Sequence, residues 1–261
     1  MRLVLSASRR TDLVAFYPEV LLGALRRYPP ERVHTVALWT KDPRNLFRNG
    51  KLREALSTYA QVFVHYTVTG MGGTALEPGV LPAEETLGLL PDLIGFVGDP
   101  RRVRLRFDPV VNFFVDGAYY TNLHLYEEVA ELAARWGVPA ITVSWVQLYP
   151  KVLRRLRKHG ITPAPFDLAS QWAWMREVSR RYRLELYACC VEGLPSSRCI
   201  DGALFSRLHP DGERAPLEKA RGQRPLCGCT HSVDVGWYTQ RCPGGCLYCY
   251  ASPMERGYGA R

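Results

Sequence analysis

Short runs of apolar and β-branched residues alternate along this chain with stretches whose apolar positions recur at helical spacing. Arg2 to Ala7 predicts a first strand. After a polar string, Pro18 to Tyr28 predicts a helix, with Val20, Leu21, Leu22, Ala24 and Leu25 as its apolar face and Pro29-Pro30 as its stop. The unit then repeats. His34 to Thr40 reads as a strand, Leu52 to Tyr59 as a short helix, and Gln61 to Thr69 as a strand that closes on Gly70-Met71-Gly72-Gly73. Glu77 to Pro82 reads as loop and Ala83 to Val97 as one amphipathic helix. Strands follow at Val103 to Phe107, Ala140 to Val146 and Leu184 to Ala188, with helices at Thr121 to Trp136, Tyr149 to His159 and Phe166 to Arg183. Between Glu192 and Arg224 the periodicity fades into Gly, Pro, Ser and charge, and Val233 to Tyr238 predicts a last strand.

Strand and helix in regular alternation predict an α/β protein with a parallel sheet, arranged as a (β/α) barrel, complete or partial. A doubly wound open sheet is the alternative, because the pattern does not show closure. Two parts are expected: residues 1–188 as the barrel body, and 189–261 as a cysteine-rich segment that completes it. Parallel barrels build their sites at the carboxyl ends of the strands. Polar residues gather there: Ser6, Ser8, Arg9, Arg10, Thr11 and Asp12 after the first strand, and Trp39-Thr40-Lys41 after the second. Thr67 and Thr69 follow the third, Arg106 and Asp108 the fourth, and Ser144, Gln147 and Tyr149 the fifth. These clusters are expected to converge, with Arg106, Asp108 and Lys41 in catalytic roles. Each also has a structural reading, as a solvated loop, an ion pair or core.

Composition narrows the setting. With 261 residues, 47% of them hydrophobic, the chain is long enough for one α/β barrel. The apolar run at Leu3-Val4-Leu5 is too short for a signal peptide, and no stretch approaches a membrane span, so a cytoplasmic protein is expected. All eight cysteines lie after residue 188, which in a reducing compartment points to metal or redox chemistry rather than disulfides. The formal charge of +9 invites a nucleic-acid partner, although 29 of the basic residues are Arg and 5 are Lys, a skew that coding bias also produces. No Ser/His/Asp triad, Walker loop or dinucleotide fingerprint stands out.

The strongest chemical signal is Arg241-Cys242-Pro243-Gly244-Gly245-Cys246-Leu247-Tyr248-Cys249-Tyr250. Its cysteines are spaced C-x3-C-x2-C. Three thiolates this close can hold three corners of a 4Fe-4S cubane and leave the fourth iron without a protein ligand. The spacing, with the aromatic Tyr248 before the third cysteine, resembles the radical S-adenosylmethionine (SAM) superfamily. That resemblance implies that SAM chelates the open iron and is reductively cleaved to a 5′-deoxyadenosyl radical, with Tyr248 near the adenine. It implies an electron donor such as flavodoxin or ferredoxin. Within it, Ser8, Arg9, Arg10 and Asp12 are candidates to bind SAM, a guanidinium being suited to its carboxylate. The superfamily normally carries this motif near the start of its barrel, so its place here implies a circular permutation in which Val233 to Tyr238 precedes Arg2 to Ala7.

The strings Ser6-Ala7-Ser8-Arg9-Arg10-Thr11-Asp12, Trp39-Thr40-Lys41 and Arg106-Phe107-Asp108-Pro109, with the terminal cysteines, also resemble a narrower family, catalogued as domain of unknown function 1848. A second set, Cys190, Cys199, Cys227 and Cys229, with Cys189 as alternative or spare, fits an additional 4Fe-4S cluster or a structural zinc. The resemblance covers these cysteines and favours iron–sulfur. At the terminal motif itself, zinc held by Cys242, Cys246 and Cys249 with His231 is an alternative. Two other readings of the whole chain stay open: a zinc or iron–sulfur protein that binds nucleic acid without catalysis, and a radical SAM enzyme acting on DNA or RNA.

Overall fold

The computed structural model describes residues 2–237 and 239–255. Its strands are β1 (Leu3–Ala7), β2 (Val33–Thr40), β3 (Val62–Thr67), β4 (Val103–Val110), β5 (Asn112–Val115), β6 (Ala118–Thr121), β7 (Ala140–Trp145), β8 (Ile161–Pro163), β9 (Glu185–Ala188) and β10 (Val233–Asp234). Helices α1 (Leu13–Phe16) and α2 (Pro18–Leu25) join β1 to β2, and α3 (Arg44–Arg48) and α4 (Gly50–Ser57) join β2 to β3. Next come α5 (Ala83–Gly88) and α6 (Leu90–Val97) before β4, α7 (Tyr126–Arg135) before β7, α8 (Pro150–Lys158) before β8, and α9 (Leu168–Arg181) before β9. A short α10 (Gly202–Leu208) lies in the cysteine-rich segment.

Seven strands form one parallel sheet in the order β10-β1-β2-β3-β4-β7-β9. Apart from β10 the order follows the chain, so the sheet has no reversal point of the kind that defines a doubly wound fold. Nor does it close: where a (β/α) barrel, complete or partial, was expected, the seven strands form an open sheet, and among the described residues β9 and β10 are both edges. The chain returns to its own beginning all the same, with β10 parallel to β1 and Val233 opposite Leu5, Asp234 opposite Ser6. Tyr238, the expected end of that strand, lies outside the described residues.

The two faces of the sheet carry different chemistry because side chains alternate along a strand. Leu5 and Ala7, Val36 and Leu38, Val64 and Tyr66, Leu105 and Phe107, Ile141 and Val143 all point into one core that the crossover helices cover. The opposite face presents Val4, Ala37 and Phe63 at its amino-terminal end, where Ile200, Phe205 and Leu208 of the cysteine-rich segment seal it. On the same face come His65 of β3, Arg104 and Arg106 of β4, and Thr142 and Ser144 of β7. Polar residues thus occupy the inner face at the end where the cysteines gather.

Three local expectations change. Ala83 to Val97 is two helices, because Pro91 occupies the first turn of the second; it has no N–H to extend the helix before it. The stretch before α7 holds a hairpin, β5 to β6, turned by Asp116 and Gly117 at φ 50° and 81°. The irregular stretch contains α10, whose N-cap Asp201 accepts from the backbone N–H groups of Ala203 and Leu204. No helix among the described residues is long and apolar enough to cross a membrane.

Candidate functional site

A cleft of about 500 Å³ opens at the carboxyl ends of β1, β2, β4 and β7. The strand-end residues predicted from sequence meet there: Ser8, Arg9, Arg10, Thr11, Asp12, Trp39, Lys41, Thr67, Arg106, Asp108, Ser144, Gln147 and Tyr149 all line it. Ser6 and Thr69 do not. Both cysteine groups reach the same cleft, Cys242, Cys246 and Cys249 on one side, Cys189, Cys199, Cys227 and Cys229 on another. His231 is exposed and takes no part in the lining.

The loop of Cys242 to Cys249 is docked by apolar burial and by backbone hydrogen bonds. Leu247 is 2% exposed and packs, with Cys246 and Tyr248, among Met71, Leu76, Phe113, Val152 and Leu156. Burial of such a side chain is worth roughly 1.5–3 kcal/mol. The Leu247 N–H donates to Leu76 O at 2.9 Å, and Gly79 N–H donates to Gly244 O at 3.1 Å. From α8, Arg155 Nε donates to Leu247 O at 2.7 Å and its Nη2 to Cys249 O. Tyr17 Oη donates to Arg241 O at 2.7 Å and Thr11 Oγ1 to Gln240 O at 2.9 Å. The loop is therefore fixed from three sides while its sulfurs face the cleft.

Burial pushes the thiols of Cys242, Cys246 and Cys249 above the ordinary range, Cys246 furthest. Lys41 and Arg155 oppose that trend at Cys249, as Lys41 does at Cys246. Three thiols within an eight-residue loop, with cations beside them, are a donor set suited to a soft metal or an iron–sulfur cluster. Among the described residues no three His, Cys, Asp or Glu side chains close on one point as metal ligands.

Close approach is essential at Gly79. A Cβ there would stand 2.2 Å from Pro243 O, a backbone atom of the cysteine loop. Gly79→Ala is expected to push the loop off and destabilise the protein by about 1–3 kcal/mol. Urea unfolding checks this, and an unchanged midpoint would contradict it.

The loop after β1 is built mainly to hold itself and its neighbours. Ser8 Oγ accepts from the N–H groups of Arg10 and Thr11, at 3.1 and 3.3 Å. Asp12 caps α1 through Ala15 N–H and also accepts from Thr40 Oγ1 at 3.0 Å and Lys41 N–H at 2.7 Å, pinning the first strand-end loop to the second. Burial raises the Asp12 carboxyl to about 6, against the pull of those hydrogen bonds. Arg10 donates to Gly236 O at 2.9 Å and faces Asp234 at 3.6 Å, which ties the loop to the end of β10. Arg9 lies over the Trp39 ring, 5.3 Å from its centroid, and donates to Gln223 at 3.1 Å. Its buried Nε has no hydrogen-bond partner among the described residues.

Sequence reasoning missed Glu77. It sits in the loop after β3, is fully buried, and binds Lys41 Nζ at 2.6 Å, Thr69 Oγ1 at 2.7 Å and the Tyr248 hydroxyl. Lys41 Nζ also donates to Tyr248 Oη at 2.8 Å. Burial alone would lower the Lys41 pKa, but the charge of Glu77 raises it overall. Burial first, then the same carboxylate, holds the Tyr248 phenol far above its usual range. Lys41, placed at a strand end by sequence, thus points at the floor beneath the cysteine loop, and Tyr248 is anchored by its hydroxyl. Glu77 sits in a turn without periodicity, so nothing in the local pattern marked it.

On the opposite wall Arg106 pairs with Asp108, and Ser144 Oγ donates to the same carboxylate. Arg106 Nη1 also donates to Cys199 Sγ at 2.9 Å. Burial would lower the Arg106 pKa, yet Cys199 and Asp108 together hold it well above the usual value. The thiols here run as a chain of contacts, Cys190 to Cys189, Cys189 to Cys199, Cys199 to Cys229 and Cys229 to Cys227. Hydrogen bonds from Cys189 and Cys229 keep the Cys199 thiol well below the ordinary range, and a bond from Cys229 lowers Cys227 to about 6. His65 Nε2–H donates to Cys199 O, 2.6 Å away; burial lowers its pKa to about 3, so its ring is neutral.

No curated protein matches the chain. A profile described as domain of unknown function (DUF1848) does match, over residues 26–251, a span of 226 of the 261 residues that includes every cysteine. The matched span begins after the Ser6 to Asp12 string and still takes in the Trp39-Thr40-Lys41 and Arg106-Phe107-Asp108-Pro109 strings. With most of its length matched, and with these motifs meeting in one cleft, the chain belongs to the DUF1848 family.

Proposed function

We propose that the protein is a radical SAM enzyme whose partial barrel is permuted, with its cluster loop at the carboxyl end of the chain. One observation carries the reading. The Cys242 to Cys249 loop follows β10, β10 lies beside β1, and the loop meets the Ser8 to Asp12 turn across the cleft, Tyr250 Oη donating to Arg9 O at 2.9 Å. A motif at one end of the sequence is thereby adjacent to the string at the other, as a permuted barrel requires.

In this reading Cys242, Cys246 and Cys249 hold a 4Fe-4S cluster, and SAM occupies the adjoining part of the cleft. When bound, the pair supplies a 5′-deoxyadenosyl radical on receipt of one electron from a donor such as flavodoxin or ferredoxin. The chain contributes position and exclusion of water. Arg155, Leu247 and the Glu77 network fix the cysteine loop. Arg9, whose Nε is unpartnered inside the cleft wall, is the guanidinium best placed to receive the SAM carboxylate. Ser8, Arg10 and Asp12 act through the loop they hold. Arg106, Asp108 and Ser144 line the remaining volume and orient a substrate by hydrogen bonding. A cleft of about 500 Å³ has the size of a small-molecule site. All eight cysteines are free thiols, which accords with a reducing, cytoplasmic setting.

The test is anaerobic reconstitution with iron and sulfide, followed by reduction and incubation with SAM. Formation of 5′-deoxyadenosine, dependent on reductant and SAM, is expected. A reconstituted, reduced protein that leaves SAM intact, with and without candidate substrates, would overturn the reading. Turnover that collapses with rising salt would move the substrate class to nucleic acid.

A further inference from the structure

We propose that Cys189, Cys199, Cys227 and Cys229 hold a second iron–sulfur centre in the wall of the cleft, with Cys190 outside it. The choice of Cys189 over its neighbour comes from the fold. Cys189 continues β9, its N–H bound to Val143 O at 2.8 Å, and its side chain lines the cleft. Cys190 takes the left-handed region at φ 55° and does not line it. Cys199 and Cys229 are buried together, and Cys189 and Cys227 pack against the same cluster; Cys190 is not part of it.

Backbone hydrogen bonds bring the four segments together, although among the described residues no three of the thiols close on one point. Ala188 N–H donates to Pro195 O at 2.8 Å and Ser197 N–H to Ala188 O at 2.8 Å, so the chain folds back and sets Cys199 beside Cys189. Thr230 N–H donates to Ile200 O at 2.9 Å, which sets Cys229 beside Cys199. Gly228 lets Cys227 and Cys229 turn closely over residues 196–198: a Cβ there would meet Ser196 Oγ and Arg198 Cγ at 3.1 Å each.

Donors from three directions point at the sulfurs. Arg106 Nη1 reaches Cys199 Sγ at 2.9 Å, Arg224 Nη2 reaches Cys189 Sγ at 3.6 Å, and Ile200 N–H reaches Cys229 Sγ at 3.4 Å. N–H donors and guanidinium charge around sulfur suit thiolates that carry a metal centre, and such bonds set the potential of iron–sulfur clusters. An all-thiolate set excludes hard oxygen-seeking cations and leaves iron–sulfur or zinc. Four-cysteine zinc sites are closed structural knots. This set instead opens onto the cleft that also holds Cys242, Cys246 and Cys249, which favours iron–sulfur.

The test uses the full chain carrying Cys242→Ala, Cys246→Ala and Cys249→Ala, so that only the second set remains. Reconstituted anaerobically with iron and sulfide in the presence of equimolar zinc, it is expected to retain about four irons per chain. Adding Cys189→Ser or Cys227→Ser should reduce that at least fourfold, whereas adding Cys190→Ser should leave it unchanged, with far-ultraviolet circular dichroism confirming the fold of each variant. Three results would overturn the inference: no iron in the folded triple variant, a loss from Cys190→Ser that Cys189→Ser does not produce, or zinc bound in place of iron. SAM plays no part in this readout, so its failure is distinct from failure of the radical SAM reading.

Discussion

Replacement of Cys242, Cys246 and Cys249 with Ala is expected to reduce 5′-deoxyadenosine formation to the level of a protein-free control while the sheet stays folded. The three sulfurs face the cleft, but the loop's hold on the body comes from other atoms: Leu247 in its apolar niche, the carbonyls bound by Arg155, and the backbone bonds to Leu76 and Gly79. Removal of the thiols therefore takes away ligands more than packing. Circular dichroism and the urea midpoint should change little. Product at the wild-type level from the triple variant would show that these cysteines are not the ligands of a catalytic cluster.

Lys41→Met should destabilise the protein by about 3–5 kcal/mol, because it leaves the fully buried Glu77 carboxylate without its cation. Tyr248 and Thr69 still donate to Glu77, yet neither brings charge. The double variant Lys41→Met, Glu77→Leu should recover most of that loss, since a buried pair replaced as a whole costs far less than one broken in half. Urea unfolding of the two single variants and the double variant measures the coupling. A cost below about 1 kcal/mol for Lys41→Met would be the behaviour of a solvent-screened surface pair and would contradict this description of the network.

Much of the architecture is legible in hydrophobic periodicity. β1, β2, β3, β4, β7 and β9 each fall within a residue or so of the strands read from sequence at one end or both, because their helix-facing residues form unbroken apolar series. Closure was not legible: whether edge strands meet depends on sheet curvature, and β9 and β10 remain apart. The β5 to β6 hairpin was overlooked although Asp116-Gly117 between aromatic runs is its local signal. Likewise Pro91 marked the break between α5 and α6.

At the site, residue types at strand ends located the cleft, while the partners of individual side chains were not legible. Asp12 and Ser8 line the cleft and also accept from neighbouring groups, the N–H groups of Arg10, Thr11, Ala15 and Lys41 and the Thr40 hydroxyl, bonds that residue type alone does not foretell. Tyr248 was expected near a ligand and is tethered by Glu77, a partner 171 positions away in the chain. Adjacent cysteines such as Cys189 and Cys190 are equivalent to a spacing argument. The backbone turn at φ 55° and the cleft lining, which takes in Cys189 and not Cys190, separate them.

Chelation of SAM by a cluster at the terminal cysteines is measured most directly by pulsed electron–nuclear double resonance on the reduced, reconstituted protein with SAM labelled with nitrogen-15 at its amino group. Hyperfine coupling between that nitrogen and the cluster spin is expected, and it should be lost when Cys242, Cys246 and Cys249 are replaced. A fully loaded, reduced cluster at those cysteines with no coupling to added SAM would contradict it.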